Sequence, residues 1–105
     1  MLQEGIFFQE AYSGSPESGP SRACLMTGKH PGHCRIRNNE SYRGQEYFEE
    51  NDTTMAEMLK LAGYTTGMFG KWGNGTPGTP GTPEKQGFDY SIGFYDQLTS
   101  LGSLV

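Results

Sequence analysis

Branched aliphatic residues are scarce in this chain: one Val and three Ile among 105 residues. Leu, Ile, Val and Phe together number seventeen, short of the roughly one-fifth share expected of a well-packed domain. A buried parallel sheet built from this chain alone therefore lacks its usual β-branched filling. Long apolar runs are also missing, and none approaches the ~18 residues of a membrane-spanning helix. Residues 1–10 lack the basic and apolar regions of a signal peptide. No heptad repeat is present, which excludes a coiled coil. A net charge of −4 is too small for a disordered polyelectrolyte, and thirteen aromatic residues argue against a solvated tail. The expectation is one domain at most, or a piece of one.

Cysteine is sparse as well. Cys24 and Cys34 show no C-x-x-C spacing. A zinc site from Cys24, His30, His33 and Cys34 is conceivable, but the spacing matches no usual finger, and two unrelated thiols are the plainer reading. Asn39, Asn51 and Asn74 open N-x-[ST] sequons, which matter only in a glycosylating secretory route.

What is present is unevenly distributed. No acid lies between Glu17 and Glu40, whereas Arg22, Lys29, Arg35 and Arg37 fall in that interval. Residues 40–57 then hold six acids against Arg43 alone. A short basic stretch in an acidic chain suggests a focused anion site rather than a nucleic-acid surface, which needs a basic domain. A merely solvated basic face explains the same charges.

The pattern of residues predicts an α/β chain. Residues 6–12 read as a short aromatic-rich strand, ended by the turn formers Ser13, Gly14, Ser15 and Pro16. Pro20 suits a first helical position, predicting a helix over 20–27 that stops at Gly28. Residues 30–51 read as an irregular connection. Thr54 and Glu57 form a capping box, and Met55, Met58, Leu59 and Ala62 make an apolar stripe ended by Gly63. Residues 64–69 follow as a strand, and helix–Gly–strand order is typical of α/β proteins. Residues 73–86 read as a Gly/Thr/Pro-rich loop within the domain, and the three Gly-Thr-Pro triplets over 75–83 predict an extended, polyproline-like surface stretch. Residues 98–105 show no period.

The chemistry concentrates in Ser18-Gly19-Pro20-Ser21-Arg22. This run places a hydroxyl at a helix entry, where backbone N–H groups and the helix dipole favour negative charge. Arg22, about one turn on, adds a planar donor fork suited to tetrahedral oxyanions. A nucleophile, an anion-stabilising helix start and a guanidinium suit sulfuryl or phosphoryl transfer. Taken alone, a Ser in this setting more often just caps its helix.

The run Ser18-Gly19-Pro20-Ser21-Arg22, followed by Thr27-Gly28, resembles the C/S-x-P-S-R signature of the sulfatase family. Gly63-Tyr64-Thr65-Thr66-Gly67-Met68-Phe69-Gly70-Lys71-Trp72 resembles its second, G-Y-x-T…G-K-W signature. Residues 28–38 and 85–90 are also similar to stretches of bacterial arylsulfatases, so the likeness runs over about residues 5–97 in family order. The resemblance implies that residues 1–105 are a partial amino-terminal catalytic segment of an alkaline-phosphatase-like α/β domain, a sheet with flanking helices.

It further implies that Ser18 is oxidised to formylglycine by a maturase of the serine type. The hydrated aldehyde attacks sulfur and displaces the alcohol, and its second hydroxyl then expels sulfate; an unmodified Ser would be left as a stable ester. Arg22 would hold the diol, and Lys71 would neutralise a sulfate oxygen or the leaving alkoxide. The implied substrates are sulfate esters of small molecules or carbohydrates, and the implied setting is periplasmic or secreted. Family members also bind Ca²⁺, with the residue at position 18 among its ligands, through hard oxygen donors. Here the sequence departs: its three Asp residues, Asp52, Asp89 and Asp96, are not adjacent and none precedes Ser18. Glu17 stands where a small or apolar residue is usual, and Gly73 stands where many members carry His. The chain by itself is accordingly expected to turn over little. Two other readings remain open: a phosphate or phosphonate ester hydrolase using unmodified Ser18, and a non-catalytic sulfated-glycan binder using Arg22, Lys29, Arg35 and Arg37.

Overall fold

The computed structural model describes residues 2–96; the expectation for residues 98–105 lies outside them. Helix α1 spans Ser18–Thr27 and α2 spans Met55–Leu61, with a short 3-10 turn at Pro83–Lys85. The strands are β1 (Glu40–Ser41), β2 (Gly44–Gln45), β3 (Gly67–Lys71) and β4 (Tyr90–Phe94). β1 and β2 form a small antiparallel hairpin inside the stretch expected to be irregular. β3 and β4 pair in parallel, with Gly67 opposite Tyr90 and Lys71 opposite Phe94. The architecture is α/β, as the helix–Gly–strand order predicts.

Local sequence explains the helix ends. Gly28 ends α1 in the left-handed region (φ 67°), and its N–H bonds the Cys24 carbonyl, a conformation a side chain would strain. Helix α1 begins two residues before Pro20, so Pro20 is the third helical residue, where its missing N–H still costs no intrahelical bond. Thr54 and Glu57 form the reciprocal capping box of α2. Thr54 Oγ1 also donates to the Gln86 carbonyl (2.6 Å), anchoring that helix start in the interior.

The core centres on aromatic rings rather than branched aliphatics. Trp72 stands between Phe48 and Phe88, with ring centroids 5.9 and 5.6 Å away, and Ile36, Met68, Ala23 and Ala56 fill around them. Trp72 Nε1–H donates to the Gly81 carbonyl (2.8 Å), so the indole is both packed and satisfied. This bond corrects the expectation of an extended loop over residues 75–83. The segment is not an extended surface loop but a folded, turn-rich cover over Trp72 with Gly75, Gly81, Thr82 and Pro83 buried. Gly81 permits it: a Cβ there would stand 2.6 Å from both the Asn74 carbonyl oxygen and the Phe48 nitrogen.

Two further expectations are overturned. Residues 6–12 form no strand; Ile6, Phe7, Phe8 and Tyr12 are exposed, and a strand exists only where a neighbour completes its ladder. The strand predicted at 64–69 is displaced to Gly67–Lys71. At its start, the Thr66 N–H donates to Asp89 Oδ2 and the Asp89 N–H to Thr66 Oγ1 (both 3.0 Å), which sets the register with β4. The α2 stripe of Met55, Met58 and Leu59 faces solvent, while small Ala56 faces the core. Periodicity shows that a face is apolar, not that this chain covers it. One face of the β3–β4 pair is bare in the same way: Phe69 and Ile92, partners in register, are 73% and 70% exposed.

Trp72→Phe keeps a ring in the core but strands the Gly81 carbonyl. It should cost about 1–3 kcal/mol in urea unfolding followed by far-ultraviolet circular dichroism. Leu61→Ser, at an exposed site, should stay within about 0.5 kcal/mol of the parent.

Candidate functional site

The two sequence segments singled out for chemistry meet at one guanidinium. Ser18 is the first residue of α1 and Arg22 lies one turn later, so both side chains share a helix face. Arg22 Nε–H donates to Ser18 Oγ at 2.9 Å. Arg22 Nη1–H donates to the carbonyl of Lys71, at the end of β3, at 2.6 Å. Ser18, Arg22 and Lys71 are all partly buried. Burial holds the Lys71 ammonium below its ordinary pKa, and the Arg22 charge lowers it further. The arrangement is a hydroxyl held by a guanidinium beside a second cation, as needed to stabilise charge on a transferring oxyanion group.

The helix start is more committed than the sequence reading holds. The Gly19 N–H donates to Asn39 Oδ1 (2.7 Å), the Ser21 N–H donates to the Glu17 carbonyl (3.1 Å), and Pro20 has no N–H. A cluster of open amides for an anion is therefore not what this first turn offers. Ser18 is not the cap either: Glu17 holds the N-cap position without a side-chain cap bond, and its carboxylate accepts the Asn39 N–H (3.2 Å).

Two residues that sequence reasoning missed fix the site. Asn39 reaches from the hairpin's edge to Gly19. Asn74 is fully buried. Its amide, oriented to satisfy both atoms, donates to the Gly19 carbonyl (2.9 Å) and the Gly73 carbonyl (3.1 Å) and accepts from the Ala23 N–H (3.3 Å). Asn74 thus ties the first turns of α1 to the segment that leaves β3. Their reading as glycan acceptors concealed this; the one available cue was the place of Asn74 two residues after Trp72. An Asn without solvent exposure carries no glycan in this fold.

The other basic residues do not converge here. Arg35 pairs with Asp52 (2.8 Å), which holds it charged. Arg37 donates to the Gly32 (2.8 Å) and Cys34 (3.3 Å) carbonyls. Lys29 is exposed beyond the end of α1. Of the four cations Arg22, Lys29, Arg35 and Arg37 read as a glycan surface, Arg35 and Arg37 are thus held by partners of their own. Among the described residues no three His, Cys, Asp or Glu side chains gather to hold a metal, so the zinc reading of Cys24, His30, His33 and Cys34 fails. One reason is visible: His30 Nδ1 already accepts the Gly32 N–H (3.1 Å).

The calcium reading meets the same difficulty in this part of the chain. Asp52 is paired to Arg35, and Asp89 to Lys60 (2.9 Å); the Lys60 contact, with Thr66, keeps the Asp89 carboxyl below its usual range. The described residues therefore do not fit a calcium cage.

The Sulfatase family profile matches residues 1–101. Arylsulfatase G of Canis lupus familiaris is 39% identical over 93 residues, covering 89% of this chain and 17% of that protein. N-acetylglucosamine-6-O-sulfatase of Bacteroides thetaiotaomicron is 38% identical over 90 residues, covering 86% and 14%. The solved structure of Ps i-CgsB in complex with k-i-k-neocarrahexaose superposes with a TM-score of 0.66 at 34% identity, covering 82% of this chain and 19% of that one. The chain thus spans less than a fifth of the length of these relatives.

Arg22→Gln removes one of the two causes that depress Lys71. The Lys71 pKa should rise on titration followed by side-chain NMR, yet stay below 10.5 because burial remains the larger cause. Folding lowers this pKa, so the unfolded chain binds more protons between the folded value and 10.5. The resulting penalty is present at neutral pH and is relieved as pH climbs through that window. An unmoved Lys71 would separate the two groups.

Proposed function

The chain belongs to the sulfatase family, and from that premise we propose that it carries part of the active site of a sulfuric ester hydrolase. The observation that supports this reading is the pair of hydrogen bonds that Arg22 donates, one to Ser18 Oγ and one to the Lys71 carbonyl, which draws together residues 53 positions apart. In the proposed reaction an oxygen carried by residue 18 bonds to sulfur while the ester alcohol departs with a proton. Arg22 holds that oxygen and balances its charge. Lys71 stands by the departing or transferred oxygens, its ammonium already partly stripped of water. Oxidation of Ser18 to formylglycine by a serine-type maturase belongs to the proposal, because an ordinary serine sulfate would not discharge. Calcium has no role in the proposal, because Asp52 and Asp89 are already paired with Arg35 and Lys60.

For the substrate we propose a sulfated carbohydrate. The names of relatives support this: the N-acetylglucosamine-6-O-sulfatase above and an ulvan-active sulfatase of Formosa agariphila, 37% identical over 93 residues.

The protein carrying this chain, produced with a serine-type maturase, should show residue 18 lighter than serine by two hydrogens on peptide mass analysis. It should release sulfate from a 6-sulfated amino sugar, with Ser18→Ala inactive and Arg22→Ala slower by roughly 10²–10³-fold in kcat. An unmodified, phosphorylated Ser18 after incubation with a phosphate ester would move the assignment to phosphoryl transfer.

A further inference from the structure

The β1–β2 hairpin stands against both halves of the site. At its base Asn39 accepts the Gly19 N–H through Oδ1 (2.7 Å) and donates its own N–H to the Glu17 carboxylate (3.2 Å), so it grips both neighbours of Ser18. The Asn39 carbonyl accepts the Glu46 N–H (3.1 Å), which closes the hairpin base. On the second strand Gln45 Nε2–H donates to the Tyr95 carbonyl (3.3 Å). That same oxygen takes the N–H of Gly73, two residues after Lys71 (3.0 Å). The hairpin is therefore fastened beside Ser18 at one edge and near Lys71 at the other.

The tip is open where the base is tied. Tyr42 and Arg43 form the loop between Ser41 and Gly44, and the Arg43 N–H donates to Ser41 Oγ (3.2 Å). The Arg43 guanidinium folds back over the Tyr47 ring (5.8 Å to its centroid) and toward Glu46 (3.8 Å). Tyr42 is left standing in solvent, 98% exposed. The electron-rich face of such a ring attracts the weakly positive C–H bonds of a sugar. Two strand residues, roughly 7 Å, separate the tip from the base. That reach suits the next sugar along a chain rather than the ring whose sulfate is held at Ser18. The surroundings also select by charge. Residues 40–57 hold six acids against Arg43, and Glu40 is exposed two positions before Tyr42. Carboxylates accept hydroxyl hydrogens and repel a second sulfate.

Resting on the sulfated-carbohydrate reading above, we infer that the β1–β2 hairpin binds an uncharged sugar unit next to the sulfated one. Tyr42 stacks on the face of that unit, and Glu40 accepts from its hydroxyls. Arg22 and Lys71 take the sulfate, the hairpin takes the neighbour, and Asn39 and Gln45 fix the spacing between the two. The hairpin thereby favours chains in which the neighbouring unit is unsulfated.

The test gives the matured protein carrying this chain three substrates: N-acetylglucosamine 6-sulfate, N,N′-diacetylchitobiose with one 6-sulfate, and the same disaccharide sulfated on both units. In the parent, kcat/KM should be highest for the singly sulfated disaccharide. In Tyr42→Ala its preference over the monosaccharide should fall about three- to tenfold, through KM rather than kcat, and Tyr42→Trp should restore it. Glu40→Gln should narrow the gap between the singly and doubly sulfated disaccharides. Tyr42 and Glu40 are both exposed, so neither change opens the core. Equal losses on monosaccharide and disaccharide, or a parent without the preference, would overturn the inference. A parent that releases sulfate from none of the three would instead tell against the sulfatase reading, and binding then decides for the hairpin. The Tyr42 ring resonances should shift on titration with unsulfated N,N′-diacetylchitobiose; unmoved resonances would overturn the inference on that arm too.

Discussion

One guanidinium organises this part of the molecule. Arg22 donates from Nε to Ser18 within its own helix and from Nη1 to the Lys71 carbonyl at the end of β3. A charged donor to a neutral carbonyl in a partly desolvated place is a strong hydrogen bond, and leaving that carbonyl unmet would cost about 1–3 kcal/mol. The planar fork matters as much as the charge. Lysine has three donors, but they rotate on a single nitrogen and lack the fixed fork that spans two separate acceptors, so it would make a poorer strut. Through Arg22 the position of Ser18 becomes a function of where β3 ends.

Where β3 ends depends in turn on packing behind it. Trp72 follows Lys71 directly and is locked by Phe48, Phe88 and the Gly81 carbonyl, so the residue after the site is among the most constrained in the chain. Asn74 then returns to α1 through the Gly19 carbonyl and the Ala23 N–H. A closed circuit results: helix to strand through Arg22, strand to core through Trp72, and core back to helix through Asn74. Each link is short in space and long in sequence. The site therefore depends on the folded cover of residues 73–86, which carries Asn74 and the Gly81 carbonyl.

Local rules written in neighbouring residues were legible in advance: the capping box of Thr54 and Glu57, the stop at Gly28, and the helix–Gly–strand order. The proximity of Ser18, Arg22 and Lys71 was legible through family resemblance, since helix spacing alone accounts for Ser18 and Arg22 but not for Lys71. What escaped was decided across distance. The Gly-Thr-Pro triplets have the local preference of an extended chain, but Gly75 and Gly81 let backbones touch, and the Trp72 indole supplies a donor that bends the segment inward. Asn39 and Asn74 resemble surface acceptors until their partners on α1 are seen. The stripe of α2 is legible as apolar, but periodicity does not say which surface meets it.

That outward stripe and the bare face of β3 and β4 share one physical cause. Parallel strands are stable when both faces are covered, since each face carries apolar side chains and each edge carries unpaired amides. Here Met68 turns inward while Phe69 and Ile92, paired in register, turn outward. The relatives that share this sequence are more than five times as long as the stretch they match. A strand pair with one dressed face fits a sheet completed by further strands and helices, not a free-standing sandwich. The scarcity of Val and Ile follows the same logic: a chain that contributes one aromatic cluster and one face of a sheet needs few β-branched residues of its own. Ser18 and Arg22, by contrast, are positioned by bonds that close entirely within residues 17–74, so the local geometry of the site is set by this segment rather than borrowed from whatever covers the sheet.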